Sequence, residues 1–172
     1  MKLLTPTNRD LIAANLFCEA LKRGELWVPP DITGCADVLL SAIHSIAVIR
    51  PRPARMTVHV ATGNGDKECW RVAQAIENFP YDTQASISDA AFSAGLIIAL
   101  ACYHRVTEPD ALFSYHGSPR KDGAEDDRAT AAWFASRTTL PEAEWAEMAE
   151  SGEEVRFGAE QALEWGVVHE ID

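Results

Sequence analysis

No run of residues in this sequence is apolar for long enough to cross a bilayer: the most apolar stretch, 97–102, breaks off at Tyr103, His104 and Arg105. The first ten residues also lack a signal peptide's apolar run, since one lysine is followed by Thr5, Pro6 and Asn8. Cysteine is scarce and scattered. Cys18, Cys35, Cys69 and Cys102 form no C-x-x-C pair and no Cys/His grouping at zinc-ligand spacing, so they read as small apolar residues in a reducing compartment, and the expected location is cytoplasmic. Basic residues are in deficit, with 15 Lys and Arg against 26 Asp and Glu and a formal net charge of −11. A surface of that sign repels nucleic acid and anionic membranes unless a basic patch is segregated on it. The nearest candidate patch is Arg50, Arg52 and Arg55, which alternate with Pro51 and Pro53 and read as a solvated loop between a helix and a strand.

What is present is enough apolar material for one core: 47% hydrophobic residues in a 172-residue chain, expected to form a single domain over 1–172. Apolar positions Leu11, Ile12, Leu16, Phe17 and Leu21 recur at helical spacing behind Asn8 and Asp10, and the pattern stops at Gly24, which predicts an N-terminal helix within 1–24. Residues 25–28 then read as a short strand closed by Pro29 and Pro30, 37–49 as an apolar helix, and 56–61 as a strand. A helix is expected at 67–78, a strand at 84–88, and a buried helix of small residues from Ala90. Two strands at 105–107 and 111–115, a charged flexible segment at 117–127, polar helices at 129–136 and 141–150, and a last helix at 159–165 complete the order. Repeated strand-then-helix units predict an α/β fold with a mostly parallel sheet and helices packed outside it.

Three positions draw chemical attention. Ser93 opens a helix among Ala91, Ala94 and Gly95, where small neighbours admit a substrate backbone and unpaired helix N–H groups face a developing oxyanion. Such a serine can equally be a helix cap or a packed small residue. Ser86 and Ser88 lie in or at the end of a strand and have weaker context. His116 closes an apolar strand and precedes Gly117, the anchored yet reachable position a general base needs, although a surface histidine also fits. Glu153 and Glu154 could orient an imidazole, or simply be solvated. The Gly63-Asn64-Gly65 turn lies between a strand and a helix, where backbone N–H groups can point into a cleft, and it lacks the remaining features of a nucleotide-binding loop.

The order glycine turn, serine, histidine, acid resembles that of the ClpP family of Clp proteolytic subunits, which share the crotonase fold. The resemblance runs from about Glu25 to the C-terminus. Glu25-Leu26-Trp27-Val28-Pro29-Pro30-Asp31-Ile32 is similar to that family's opening strand, and residues 35–49 to the helix after it. Residues 56–66 are similar to its strand and Asn-Ser-Pro-Gly-Gly turn, and Ala90-Ala91-Phe92-Ser93-Ala94-Gly95 to its Ala-Ala-Ser-Met-Gly-Ala segment. Leu112-Phe113-Ser114-Tyr115-His116 resembles the strand that ends in its catalytic histidine. Residues 154–168 align without a gap to its Asp-Arg-Phe-Leu-Ser-Ala segment and the helix and turn after it.

The resemblance implies a ClpP/crotonase-like fold of repeated β-β-α units and a serine endopeptidase with Ser93 as nucleophile, His116 as base and Glu154 as triad acid. It implies Gly65 and Ala94 as oxyanion donors, with no metal or organic cofactor. Asp126 and Glu153 are alternative acids. The implied substrate is a peptide or unfolded protein, and the implied partners are further copies in a ring, a heptamer by resemblance, and an AAA+ unfoldase. Three departures stand out: Gly-Asn-Gly replaces Pro-Gly-Gly, glutamate replaces aspartate, and 117–150 forms a shortened handle; the N-terminal helix also lacks the family's axial-loop sequence. Competing readings are an α/β-hydrolase-like esterase using Ser93, Asp110 or Asp126, and His169; an inactive assembly or regulatory subunit of the same fold; and crotonase-like acyl-CoA chemistry.

Overall fold

The computed structural model describes residues 8–63, 65, 67–117 and 124–172. Helix α1 (Asn8–Arg23) leads into the short strand β1 (Glu25–Trp27), and α2 (Ala36–Val48) into β2 (Arg55–Thr62). Helix α3 (Cys69–Glu77) is followed by β3 (Asp82–Phe92) and α4 (Ala94–Leu100). Strands β4 (His104–Thr107) and β5 (Leu112–Tyr115) precede α5 (Ala124–Ala135) and α6 (Glu142–Glu150). Strand β6 (Val155–Gly158), helix α7 (Ala159–Glu164) and β7 (Glu170–Ile171) close the chain.

The strands form one sheet in the order β1-β2-β3-β4-β7, all parallel, with β5 beside the far half of β3 and β6 antiparallel to β5. Alternation along the central strands sets its buried face. Leu26, Met56, Val58, Val60, Ala85 and Ile87 are almost fully buried, whereas Trp27, Thr57, His59, Gln84 and Ser86 between them keep more exposure. Helices α2, α3 and α4 contribute Leu39, Ile43, Ile46, Val72, Ile76, Leu96 and Leu100 to the same core.

Four sequence expectations give way here. Residues 90–92 continue β3 instead of starting a helix, because Ala90, Ala91 and Phe92 pair with Leu112, Phe113 and Ser114 of β5. The near half of β3 pairs with β4 through Gln84 to Ile87, so this one strand serves two neighbours in succession. Its register with β2 slips between Val60 and Thr62. Strand β6 is an addition to the expected order, since a four-residue strand leaves little periodic signal; only its partner β5 reveals it. Helix α5 begins before Ala129, and α6 is not polar throughout: Trp145 is fully buried. Of the charged segment expected at 117–127, residues 118–123 lie outside the described residues.

A second, aromatic part of the core forms where α5, α6 and β6 meet β5. Tyr115 packs on Phe134 and Trp145, and Phe113 stacks on Phe157. The C-terminal segment is tied down by Arg105, buried to 4% exposure, whose guanidinium donates to the carbonyls of Val167, Cys102, Arg137 and Gly166 at 2.7–3.0 Å. Burial lowers its pKa to about 10. The arginines expected in a solvated loop are locally occupied: Arg52 lies over the Tyr81 ring and Arg55 donates to Gln84. Among the described residues no helix is long and apolar enough to cross a membrane, and no group of three or more His, Cys, Asp or Glu could hold a metal ion.

Candidate active site

Ser93 occupies the single residue between the end of β3 and the start of α4, and the sharpness of that turn is visible in its backbone. Its φ is +47° and its ψ −113°, the one positive φ outside glycine among the described residues. An L-residue holds such a conformation only where its surroundings enforce it, and such strain clusters at functional sites. Two main-chain bonds do the enforcing: the Ser93 N–H donates to the Ser114 carbonyl at 3.1 Å, and the Ser93 carbonyl accepts from Ile97 N–H at 3.2 Å. The hydroxyl is thereby projected from the sheet end, and Ala94 becomes the first residue of a helix whose opening N–H groups have no intrahelical partner.

Strand β5 runs beside this turn and carries His116 just past its end. His116 Nε2 lies 3.0 Å from Ser93 Oγ, within hydrogen-bond reach of a base for its nucleophile. The other ring nitrogen, Nδ1, lies 2.8 Å from the Gly117 carbonyl oxygen. Gly65 closes the opposite side. A Cβ built on it would lie 2.5 Å from Ala94 Cβ and 2.6 Å from Ile32 Cγ1, so only glycine lets its backbone approach the start of α4 this closely.

These residues open onto a cavity of about 650 Å³. Ser93, Ala94, His116, Gly117 and Gly65 line it, and Trp70, Ile97, Tyr115, Trp133 and Phe134 supply apolar walls. Trp70 and Trp133 meet in a T-shaped pair at a ring-centroid distance of 5.0 Å, joining α3 to α5. At the mouth, Lys67 Nζ donates to Asp126 Oδ2 at 2.8 Å. Tyr115 is 4% exposed, its hydroxyl has no partner among the described residues, and burial, helped by Asp127, pushes its pKa up to about 12.

The structure thus brings together Ser93, His116, Gly65 and Ala94. Glu154 lies near but does not touch the imidazole. Its Oε1 accepts from Ser114 Oγ at 2.8 Å, and its Oε2 accepts from Arg156 Nε and Nη2 at 2.9 and 2.6 Å. The physical reason is local competition: Glu154 sits just before β6, Arg156 two residues on offers a bidentate guanidinium, and Ser114, the partner of Arg156 across the β5–β6 ladder, offers its hydroxyl. Arg156 first, and then Ser114, holds the Glu154 carboxyl below its ordinary range. Glu153 is exposed, with its N–H on Ser151 Oγ. Asp126 lines the cavity at its mouth. Ser86 and Ser88 lie along β3, away from the cavity lining. The esterase constellation does not assemble: Asp110 lies in the turn before β5, and both ring nitrogens of His169 face Arg105. Sequence reasoning missed Trp70 and Trp133, whose wall depends on two helices meeting, and the Gly117 carbonyl, which no side-chain pattern signals.

The sequence matches no family model and no curated protein. Solved structures do resemble it. A point mutant of ClpP1 from Listeria monocytogenes matches with a TM-score of 0.80 at 14% identity, over 91% of this chain and 95% of that one. A peptidase from Plasmodium falciparum matches with a TM-score of 0.77 at 12% identity, over 90% and 98%. The chain therefore has a ClpP-like α/β fold; at such identity the likeness is one of architecture.

Proposed function

We propose that this chain is a ClpP-like serine endopeptidase, a single domain that hydrolyses peptide bonds in peptides or unfolded proteins. The observation that carries the reading is the 3.0 Å contact between His116 Nε2 and a conformationally strained Ser93, at the wall of a cavity large enough for substrate side chains. In the proposed reaction the Ser93 oxygen attacks the peptide carbonyl carbon as its proton passes to His116 Nε2. The Gly65 and Ala94 N–H groups stabilise the tetrahedral oxyanion. The protonated imidazole then gives its proton to the leaving amine, and a water activated by the same nitrogen hydrolyses the acyl-enzyme. The scheme uses no metal or organic cofactor. Apolar walls from Trp70, Ile97, Trp133 and Phe134 favour a substrate that presents a large apolar side chain.

The ClpP-like neighbours suggest assembly into a ring. A heptamer of this chain, fed by an AAA+ unfoldase in the cytoplasm, extends the same reading, and native mass spectrometry counts the subunits. The catalytic claim is tested with a fluorophosphonate. Wild-type protein should gain one adduct, located at Ser93 by peptide mapping; Ser93→Ala should gain none, and His116→Ala should react slower by roughly 10³-fold or more. No adduct on the assembled wild type would favour the inactive subunit, and an adduct on another serine would remove Ser93 from its role.

A further inference from the structure

In a serine–histidine site something must hold the imidazole so that the nitrogen facing the serine is the unprotonated one. A carboxylate usually does this. Here the contact at Nδ1 is a main-chain carbonyl, that of Gly117, at 2.8 Å. A carbonyl oxygen can only accept, so Nδ1 carries the proton and Nε2 is left as the acceptor for the Ser93 hydroxyl 3.0 Å away. The ring is thus held in the tautomer a general base requires by a main-chain group, and no hydrogen bond or ion pair among the described residues joins it to Glu154.

Both oxygens of Glu154, the nearest acid by sequence pattern, are committed elsewhere, one to Ser114 Oγ and one to the Arg156 fork. Ser114 is fully buried, and its own carbonyl receives the Ser93 N–H. The chain Arg156–Glu154–Ser114 therefore braces the strand that anchors the serine backbone. The Gly117 carbonyl is braced from another side. A Cβ on Gly117 would lie 2.3 Å from the Ala149 carbonyl oxygen, so the last turn of α6 is pressed directly against its Cα. No side chain larger than hydrogen fits between that helix and the residue whose carbonyl holds the ring.

We propose that the Gly117 main-chain carbonyl, seated by the C-terminal turn of α6, is the positioning group for His116, and that Glu154 is a structural strut between β5 and β6 instead of the third catalytic member. The assignment rests on the serine-peptidase reading of the same site. It gives the short α5–α6 segment a defined role: where α6 ends decides where the imidazole points. It also means that the site can work with glutamate in place of aspartate, because the longer carboxylate is not required to reach the ring.

The test reads the ring itself as well as the rate. Long-range ¹H–¹⁵N NMR of the histidines in the full-length protein, with His116→Gln to assign the signal, reports which ring nitrogen carries the proton. The Nδ1–H tautomer is expected for His116 in wild type and is expected to persist in Glu154→Gln and Glu154→Ala. Appearance of the Nε2–H tautomer in either variant overturns the proposal. With a fluorogenic peptide, both Glu154 variants should keep kcat within roughly tenfold of wild type. A loss near the roughly 10⁴-fold seen when a tautomer-holding carboxylate is neutralised also overturns it. Gly117→Ala should lower kcat by roughly 10²-fold with KM little changed, because about 1 Å of misplacement at a reacting group has that effect. Should that variant fail to fold, the two Glu154 variants decide alone. Absence of Ser93 labelling in wild type would sink the peptidase reading, whereas the NMR arm would still decide which group holds the ring.

Discussion

Replacing Ser93 by glycine should stabilise the protein relative to replacing it by alanine, and the backbone at this position says by how much. At φ +47° and ψ −113° the residue is outside both the right-handed and the left-handed helical wells, a conformation open to glycine and strained for any residue with a Cβ. Strain of this kind costs about 1–3 kcal/mol. Alanine keeps the Cβ and the strain. Glycine removes both, but its unfolded chain is more disordered, which returns about 0.5–1 kcal/mol. Both substitutions delete the hydroxyl and its contact with His116, so that loss cancels in the comparison. Ser93→Gly should therefore equal or exceed Ser93→Ala in stability, by up to about 2.5 kcal/mol, at a few degrees in Tm per kcal/mol for a chain of this size. Urea unfolding of the two variants side by side, with equal m-values, measures the difference. If Ser93→Ala proves more stable than Ser93→Gly, the turn is not strained, and the fold does not stress this residue to present a nucleophile.

Other expectations concern the surroundings of that turn. Gly65→Ala should lower kcat by roughly 10²-fold, because its new Cβ must move away from Ala94 and Ile32 and takes an oxyanion N–H with it; a fluorogenic peptide assay giving near wild-type kcat would remove Gly65 from the oxyanion site. Arg105→Lys should destabilise by about 2 kcal/mol or more, since three donors on a flexible stem cannot reproduce a buried fork serving four carbonyls. Denaturant midpoints close to wild type would contradict this. Cys102 should resist iodoacetamide in the native state while exposed Cys18 reacts, because burial pushes the Cys102 thiol up to about 12; mass spectrometry of native and unfolded protein separates the two.

Much of the architecture is legible from residue order alone. The helical spacing that ends at Gly24, the alternation of Met56, Val58 and Val60, and the apolar run of α2 each announce an element, because burial on one face imprints its period on the sequence. The errors share a cause. Residues 90–92 are small and apolar, suit a buried helix, and become a strand only because β5 offers them a ladder. Strand β6 exists for the same reason, and Trp145 sits in a segment that reads as a polar helix until Tyr115 and Phe134 give it a place in the core. Short elements take their form from partners distant in sequence, which no local window contains.

The candidate site divides along the same line. The sequence by itself determined the chemical types and their order: a glycine turn, a serine among small residues, a histidine at a strand end and an acid beyond it. Which of them meet was decided by tertiary structure. Long β3 turns at Ser93 while β5 runs alongside, and that brings His116 within 3.0 Å of a residue 23 positions earlier. Glu154, named by the same pattern, was claimed instead by Arg156 and Ser114, since a carboxylate binds whichever donors its strand presents. The group that meets the imidazole is a main-chain carbonyl, which every residue carries and no sequence can single out; only the packing of α6 against Gly117 selects it.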